Sequence, residues 1–232
     1  MKKIQDDISY HEINIEFVSN EALLLELSKL YCSVWTDDVN FNEYMTCKVC
    51  GNYFSRRQVE IEGIKTCSGN NNNHEETTLV IAWDPDTVSN EEILGNLKKY
   101  AENFYGIYAF DEKAKIIVGF TWAWLEKAQD IKDKWGQDIA NKLGQEDSTY
   151  YSEIAVIPSE VYRKKGIGSD LCFWLCFWIS EAFPENPSFL RTHKNSPARK
   201  MFEKAGYRYF ADDPQHGDGR IMMKIDLGKN LK

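Results

Sequence analysis

The order of the segments along the sequence predicts an α/β or α+β fold built on a mixed sheet, and two further features indicate an ordinary globular chain. Segments with strand character and helix character interleave along the chain instead of separating into two blocks. Hydrophobic residues make up 43% and charged residues 28% of the 232 residues, which is typical of globular proteins. No segment repeats, and low complexity is confined to the asparagine run 70–73. A chain of this length forms one large domain or one domain with a small addition.

The first third of the chain is predicted to contain a strand, a helix and an irregular insertion. Apolar residues alternate with polar ones over 11–18, which predicts a strand. Ser19 or Asn20 can cap a helix that runs to Tyr31, because its apolar residues recur on one face. Residues 42–76 then break both periodicities, with three of the six cysteines and few aliphatic residues. We interpret them as an insertion that needs its own means of support.

The middle of the chain is predicted to contain a strand, a helix and a hairpin. The strand covers 79–83. Ser89 and Glu92 have capping-box spacing, which predicts a helix that ends near Phe104. Segments 105–110 and 115–125 flank a polar turn and predict an antiparallel hairpin.

Helices and strands continue to alternate in the C-terminal part. A helix over 130–143 ends at Gly144, and another begins at Pro197 and ends before Gly206. A long apolar helix is predicted over 166–183. The remaining predicted strands cover 149–157, 188–193, 207–211 and 220–226.

The net charge of the chain argues against one class of partner. The chain has 28 basic and 36 acidic side chains, a formal net charge of −8. This balance disfavours a nucleic-acid partner, which would require a basic face, and fits a cationic substrate weakly.

The first residues lack the apolar core of a signal peptide, and the longest apolar run has nine residues, too few to span a membrane. We therefore expect a cytoplasmic protein with reduced thiols and no membrane partner.

The most informative segment joins the strand at 149–157 to the helix at 166–183. Its basic, glycine-spaced turn contains Arg163, Lys164, Lys165, Gly166, Ile167, Gly168 and Ser169. A helix N-terminus offers unpaired N–H groups and a positive dipole end, and glycines let the backbone approach a phosphate closely. The turn therefore indicates anion binding, although a tight strand-to-helix connection with a solvated basic loop explains the same pattern. It matches neither the dinucleotide fingerprint, because position 171 is leucine, nor the P-loop.

Two motifs together resemble the GNAT superfamily of N-acetyltransferases. Arg163, Gly166 and Gly168 match its pyrophosphate turn, Arg/Gln-x-x-Gly-x-Gly/Ala. The second motif lies about 30 residues downstream, where the matching positions are Asn195, Ala198, Gly206 and Tyr207. The resemblance covers residues 150–226 closely and the rest loosely. It implies a central, mostly antiparallel mixed sheet flanked by helices, acetyl-CoA as cofactor, and acetyl transfer to a primary amine of a small molecule or a protein.

The resemblance also implies roles for single residues. The backbone of Ile154, Ala155 and Val156 would contact the pantetheine arm, and one of their N–H groups would polarise the thioester carbonyl. Asn195 and Ala198 would contact the cofactor from the start of the second motif's helix.

One carboxylate, Glu153, is the candidate general base. Acetyl transfer needs a base because an amine is protonated at neutral pH. Glu153 resembles the base glutamate of histone-acetylating GNAT members, although a solvated strand-end carboxylate is the alternative. The family's usual general acid is a tyrosine at the position of Phe202, so proton delivery to the thiolate is in doubt. Tyr207 and Tyr150 could replace it as the general acid, and the alternative is that both are core aromatics. Water can also protonate the thiolate.

Three cysteines of the insertion have the spacing of a zinc site. Cys47 and Cys50 form a C-x-x-C-G knuckle, Cys67 follows after 16 intervening residues, and His74 after six more. Three thiolates and one imidazole make a closed tetrahedral zinc site, which supports a segment too short to build its own core. One of the two glutamates after His74 could replace it as the fourth ligand. A redox pair is the competing interpretation, but no βαβ unit surrounds it.

These features divide the chain into a GNAT-like acetyltransferase domain, residues 1–41 and 77–232, and a zinc-ribbon-like insertion, residues 42–76. Within the insertion, residues 53–64 are predicted to form a β-hairpin. Cys172 and Cys176 lie one turn apart on an apolar helix and are predicted to be core or a homodimer face. We expect an N-acetyltransferase. The alternative is a non-catalytic module that binds acyl-CoA or recruits a partner through the zinc knuckle.

Overall fold

The structure, a computed structural model, describes residues 7–37, 43–68, 75–88, 93–100, 103–143, 148–156, 161–162, 164–182, 186–215 and 219–226. Its strands are β1 (Ile8–Glu12), β2 (Met45–Thr46), β3 (Tyr53–Phe54), β4 (Thr66–Cys67), β5 (Thr77–Thr78), β6 (Val80–Ile81), β7 (Phe104–Asp111), β8 (Ile116–Lys127), β9 (Ser148–Val156), β10 (Ser188–His193), β11 (Arg208–Asp212) and β12 (Arg220–Ile225). Its helices are α1 (Ile15–Val18), α2 (Glu21–Asp37), α3 (Pro85–Val88), α4 (Gly95–Tyr100), α5 (Ala128–Trp135), α6 (Gln137–Leu143), α7 (Ile167–Ala182) and α8 (Pro197–Ala205), and a short π-helix covers Arg57–Ile61.

Seven of these strands form one mixed, mostly antiparallel sheet in the spatial order β1-β7-β8-β9-β10-β12-β11. Its β9–β10 pair is parallel, and its other neighbouring strands are antiparallel. Side chains of β8 alternate between the two faces. Trp122 and Trp124 pack into the core that contains α2, whereas Ala123 packs into the core that contains α7. The predicted fold class is therefore confirmed.

Local sequence signals place several elements where we predicted them. The hairpin of β7 and β8 forms around a turn in which Asp111 Oδ1 accepts the backbone N–H groups of Lys113 and Ala114. The strand at 188–193 is confirmed as β10. Helix α8 begins after Ser196, whose hydroxyl accepts the N–H of Ala198.

Two predicted elements are corrected by residues that end or break them. The strand predicted over 11–18 ends at Glu12, because the side chain of Asn14 accepts the N–H groups of Glu16 and Phe17 and starts α1. The helix predicted over 130–143 is two helices. They meet at Gly136, whose φ of 91° lies outside the helical range.

The helix predicted from Asn20 forms, but it is longer than expected. The Asn20 side chain accepts the N–H of Leu23, which is the geometry of a helix cap. The helix then continues past Tyr31 to Asp37. The capping box predicted at Ser89 and Glu92 lies outside the described residues.

The insertion contributes strands to two small sheets, and the hairpin predicted over 53–64 is wrong. Strand β2 pairs with β3 and β6, and β4 pairs with β5. After β3 the chain turns into the π-helix, because Ser55 and Gln58 cap each other's backbone N–H groups. A small core of its own contains the three cysteines and Leu79. Strands β5 and β6, each of which completes one of the two sheets, and Leu79 lie beyond residue 76. The predicted boundaries of the insertion stay a prediction.

The long apolar helix α7 separates core residues from exposed ones. Cys172 and Cys176 are buried in the core, while Phe173, Trp174 and Phe177 on the outer face are 43–59% exposed. The six cysteines all lie in the described ranges, and none of them forms a disulfide. In the described ranges, none of the helices combines the length and the apolar character needed to cross a membrane.

Candidate active site

A wedge opens between β9 and β10 where the two strands stop pairing. Their parallel register ends at Ser152 and Leu190, although β9 continues to Val156 and β10 to His193. Beyond that point, in the described parts of both strands, the facing backbone edges have no strand partner. Backbone N–H and C=O groups need hydrogen-bond partners, so a linear ligand with amide groups can bind in this wedge.

The wedge leads into a cleft of about 580 Å³. The cleft brings together most of the site residues predicted from the sequence, namely Glu153, Ile154, Ala155, Val156, Lys164, Gly166, Ile167, Gly168, Ser169 and Ala198. Lys165 and Asn195 are described but do not line it. Arg163 lies outside the described residues.

The turn before α7 has the geometry and the charge of an anion site. Lys164 has a φ of 61° and Gly166 a φ of 93°, so the backbone curves back before the helix begins at Ile167. Such a turn can aim successive N–H groups into one concave space, beside the positive end of the helix dipole. The ammonium-bearing side chains of Lys164, Lys200 and Lys204 line the same cleft. The turn, in a cleft lined by these lysines, therefore suits phosphate groups.

Gly168 has a packing role that the sequence did not indicate. A Cβ at this position would lie 2.8 Å from Met201 Sδ and 3.5 Å from Val156 Cγ2. The missing side chain therefore lets α7, α8 and β9 approach each other at the base of the cleft.

Glu153 is held in a fixed orientation by two hydrogen bonds. The indole N–H of Trp122 donates to Glu153 Oε2 over 2.8 Å, and the hydroxyl of Tyr151 donates to Oε1 over 3.2 Å. Burial, with the negative charge of Glu153, raises the pKa of Tyr151 well above its ordinary value. Tyr151 therefore remains a neutral donor to the carboxylate at physiological pH.

A second cavity of about 620 Å³ meets the cleft at Glu153. Aromatic and acidic side chains dominate its wall, among them Tyr53, Trp83, Trp124, Trp135, Glu43, Glu126, Asp130 and Asp133. The cleft and the second cavity share four residues, Tyr31, Tyr151, Glu153 and Arg191. Two ligands bound in these cavities would meet beside the Glu153 carboxylate.

The two tyrosines considered as general acids are core residues. Tyr207 is 1% exposed and its hydroxyl lies 3.1 Å from Ser188 Oγ, which lies 2.7 Å from Ser152 Oγ. Tyr150 is fully buried, and burial raises the pKa of both phenols. Neither tyrosine lines the cleft, whereas Phe202 does.

Known proteins resemble this chain in fold but not in sequence. No protein-family model matches the sequence, and no curated protein matches it. Among solved structures, a candidate acetyltransferase from Acinetobacter baylyi ADP1 superposes with a TM-score of 0.56 at 12% identity, covering 97% of this chain and 96% of that one. The ribosomal-protein-S5-alanine acetyltransferase of Vibrio fischeri gives 0.54 at 9% identity, with 98% and 96% covered. An N-acetyltransferase of Staphylococcus aureus Mu50 gives 0.52 at 10% identity, with 95% and 99% covered.

The chain has a GNAT-like fold. Identities of this size establish the architecture alone, so the site has to be judged from its own residues. In this GNAT-like fold the sequence motifs mark one wall of the cleft, along β9 and the start of α7. The opposite wall comes from α2, through Tyr31, Val34 and Trp35, and the motifs gave no indication of it. Arg191 and the aromatic wall of the second cavity were also missed.

The three cysteines of the insertion lie together. Their sulfur atoms are all within 4.8 Å of one another, and Cys50 Sγ lies 3.7 Å from Cys67 Sγ. Two sulfurs on one tetrahedral zinc, each at about 2.3 Å, are about 3.8 Å apart. The pKa of Cys50 is lowered, chiefly because the backbone N–H of Asn52 donates to its sulfur. Among the described residues no carboxylate or imidazole joins the group, and His74 lies outside them.

Proposed function

We propose that this protein is an acetyl-CoA-dependent N-acetyltransferase that transfers the acetyl group to a primary amine by direct attack on the thioester. One observation carries the proposal: Glu153 lines both cavities. A carboxylate at that junction can take a proton from an amine in the second cavity while the thioester lies in the cleft. The GNAT-like fold and the acetyltransferase names of its structural neighbours support the same reaction class.

The cleft has the features needed to bind acetyl-CoA. The open backbone edge of Ile154, Ala155 and Val156 fits the two amides of the pantetheine arm. The turn at Gly166, with its nearby lysines, fits the pyrophosphate. When bound there, acetyl-CoA supplies the acetyl group as a reactive thioester.

In the reaction the amine nitrogen bonds to the carbonyl carbon, and the C–S bond breaks. Glu153 takes the amine proton, directly or through one water, while Trp122 and Tyr151 hold its carboxylate in place. A backbone N–H of the β9 edge polarises the carbonyl oxygen. The departing thiolate takes its proton from water, because Phe202 has none to give.

We also propose that Cys47, Cys50, Cys67 and His74 bind one structural zinc ion in the insertion at residues 42–76. Three clustered sulfurs fit this metal, since thiolates favour zinc over magnesium or calcium. The insertion also helps to form the second cavity, where Tyr53 is on the wall. Zinc would thus support the acceptor side of the site.

The test is acetyl transfer by purified protein to a panel of amines, with thiol release and the mass of the product as readouts. We expect amine-dependent release of coenzyme A and an acetylated amine. Binding of acetyl-CoA without turnover for any amine would favour the acyl-CoA-binding module instead. Failure to bind acetyl-CoA would contradict both functions.

A further inference from the structure

Arg191 is a largely buried cation whose hydrogen bonding is incomplete. It lines both cavities, yet its side chain is only 18% exposed. Its Nη1 donates to Asp213 Oδ2 over 3.4 Å, at the long end of the hydrogen-bond range, and its buried Nε has no partner among the described residues. A guanidinium has five N–H donors, and leaving them unused in a buried site costs free energy.

The other arginine on the wall of the second cavity is fully engaged. Arg220 forms a buried ion pair with Glu43. The carboxylate nearest to Arg191 is also shared, because Asp213 Oδ1 accepts the backbone N–H of Gln215. Arg191 therefore has donors available for a group inside the cavity.

Arg191 and Glu153 lie at the same level on opposite sides of the wedge. Leu190 pairs with Ser152, and each is followed by one of the two charged residues. Paired strands lie about 5 Å apart and separate from there, so the two side chains flank the opening. They form no ion pair with each other in the described structure. Among the described residues, Arg191 has only the long ion pair with Asp213, and Glu153 has no ion pair. A zwitterion bound in the wedge would offer an ammonium group to Glu153 and a carboxylate to Arg191.

We propose that Arg191 binds a carboxylate of the acceptor, so that the acceptor is an amine carrying a carboxylate close to its amino group, as in an amino acid. This inference rests on the proposed function. The amine lies against Glu153, and the carboxylate receives two parallel N–H donors from the guanidinium. The carboxylate also completes the hydrogen bonding that Asp213 leaves unfinished.

The test compares amines that differ only in the carboxylate, such as an amino acid, its carboxamide and its decarboxylated amine. In the wild-type protein we expect kcat/KM to be about 10- to 100-fold higher for the carboxylate-bearing member. Arg191→Gln should abolish that preference, because it should lower kcat/KM far more for the carboxylate-bearing member than for the carboxamide. Arg191→Lys should retain part of it, because lysine keeps the charge but loses the paired donors.

A matched variant separates binding of the acceptor from the ion pair with Asp213. Asp213→Asn removes the internal partner and should keep the carboxylate preference. If it removes the preference as fully as Arg191→Gln, the ion pair alone explains Arg191 and the inference is wrong. If Arg191→Gln does not fold, Arg191→Lys and Asp213→Asn still decide the question.

The remaining outcomes distinguish the inference from the proposed function. Turnover of amines without any carboxylate preference overturns the inference and leaves N-acetyl transfer intact. A preference for succinyl-CoA over acetyl-CoA that Arg191→Gln removes would assign the carboxylate to the acyl group and also overturn it. Without any turnover, the proposed function fails. Thermal stabilisation of the coenzyme A complex by amino acids, lost in Arg191→Gln, would then still support carboxylate binding, and its absence would contradict it.

Discussion

Glu43 and Arg220, 177 residues apart in the chain, form a buried ion pair in which each side chain is 3% exposed. Glu43 also accepts the indole N–H of Trp83 over 2.8 Å. The pair connects the described start of the insertion to β12 of the central sheet. The wall of the second cavity therefore depends on a contact between two distant parts of the chain.

Removing one member of this pair should destabilise the protein strongly. Glu43→Gln leaves a buried guanidinium without its counter-charge, which should lower the free energy of unfolding by about 3–5 kcal/mol. Urea denaturation measures the loss. Glu112→Gln is the control, because Glu112 and its partner Lys115 are both exposed and ion pairs between exposed groups contribute little to stability. Equal effects of the two substitutions would contradict the structural role of the buried pair.

Loss of the Glu153 carboxylate should slow acetyl transfer. We expect Glu153→Gln to lower kcat/KM by about 10²–10⁴-fold, with part of the loss recovered at high pH, where the free amine no longer needs a base. Glu126→Gln is a matched control. Glu126 accepts the indole N–H of Trp124 over 2.9 Å, much as Glu153 accepts that of Trp122, but it lines only the second cavity. Glu126→Gln should therefore lower kcat/KM clearly less than Glu153→Gln. An unchanged rate for Glu153→Gln at every pH would exclude Glu153 as the base.

Two glycines with similar positive φ angles separate cofactor binding from stability. Gly166 has a φ of 93° and Gly136 a φ of 91°, and a Cβ on either would meet no atom within 4 Å. Alanine at either position should cost about 1 kcal/mol of stability. Only Gly166→Ala should also weaken acetyl-CoA binding, measured by calorimetry, because it distorts the phosphate turn. Equal affinity in the two variants would remove the turn from the cofactor site.

The turn between β7 and β8 should make the stability of the protein sensitive to acid through Asp111. The backbone N–H of Ala114, then the hydroxyl of Tyr162, lower the pKa of Asp111 below its ordinary value of 3.8. Asp111 therefore adds stability above about pH 3.8, and that stability is lost as the pH falls through the lowered folded pKa. Tyr162→Phe removes one of these hydrogen bonds, so acid unfolding should begin at a higher pH. Circular dichroism against pH measures it, and an unchanged acid midpoint would contradict this contribution.

Removal of zinc should affect the acceptor more than the cofactor. Tyr53 of the insertion lines the second cavity, whereas the described residues that line the cleft all lie outside the insertion. Protein prepared with zinc should hold about one ion per chain by elemental analysis. After chelation, the KM for the amine should rise while acetyl-CoA affinity changes little. Less than about half an equivalent of metal would count against the site. An equal loss of affinity for the amine and for acetyl-CoA would contradict the claim that zinc supports only the acceptor side of the site.

The sequence predicted the elements whose signals are local. The hairpin at Asp111 and helix α8 with its Ser196 cap depend on turn or cap residues adjacent to them. Other local signals were misjudged. Asn14 ended a strand early, and the Ser55–Gln58 cap replaced the predicted hairpin.

The candidate site was predictable on one wall only. The motif residues of β9 and α7 are contiguous in the chain, so spacing sufficed to group them. Arg191, Trp35 and Glu43 are brought together by long-range packing, and the sequence pattern does not encode which distant residues meet. Gly168 shows a similar limit, because its small size serves contact with Met201, which only the folded structure shows.

The most direct test of the whole account is a crystal structure of the protein with coenzyme A. We predict the pantetheine arm between β9 and β10, the pyrophosphate at the Gly166 turn, and the sulfur at the junction of the two cavities, within one water of the Glu153 carboxylate. Coenzyme A bound elsewhere, or a sulfur pointing away from Glu153 and the second cavity, would contradict acetyl transfer at this site.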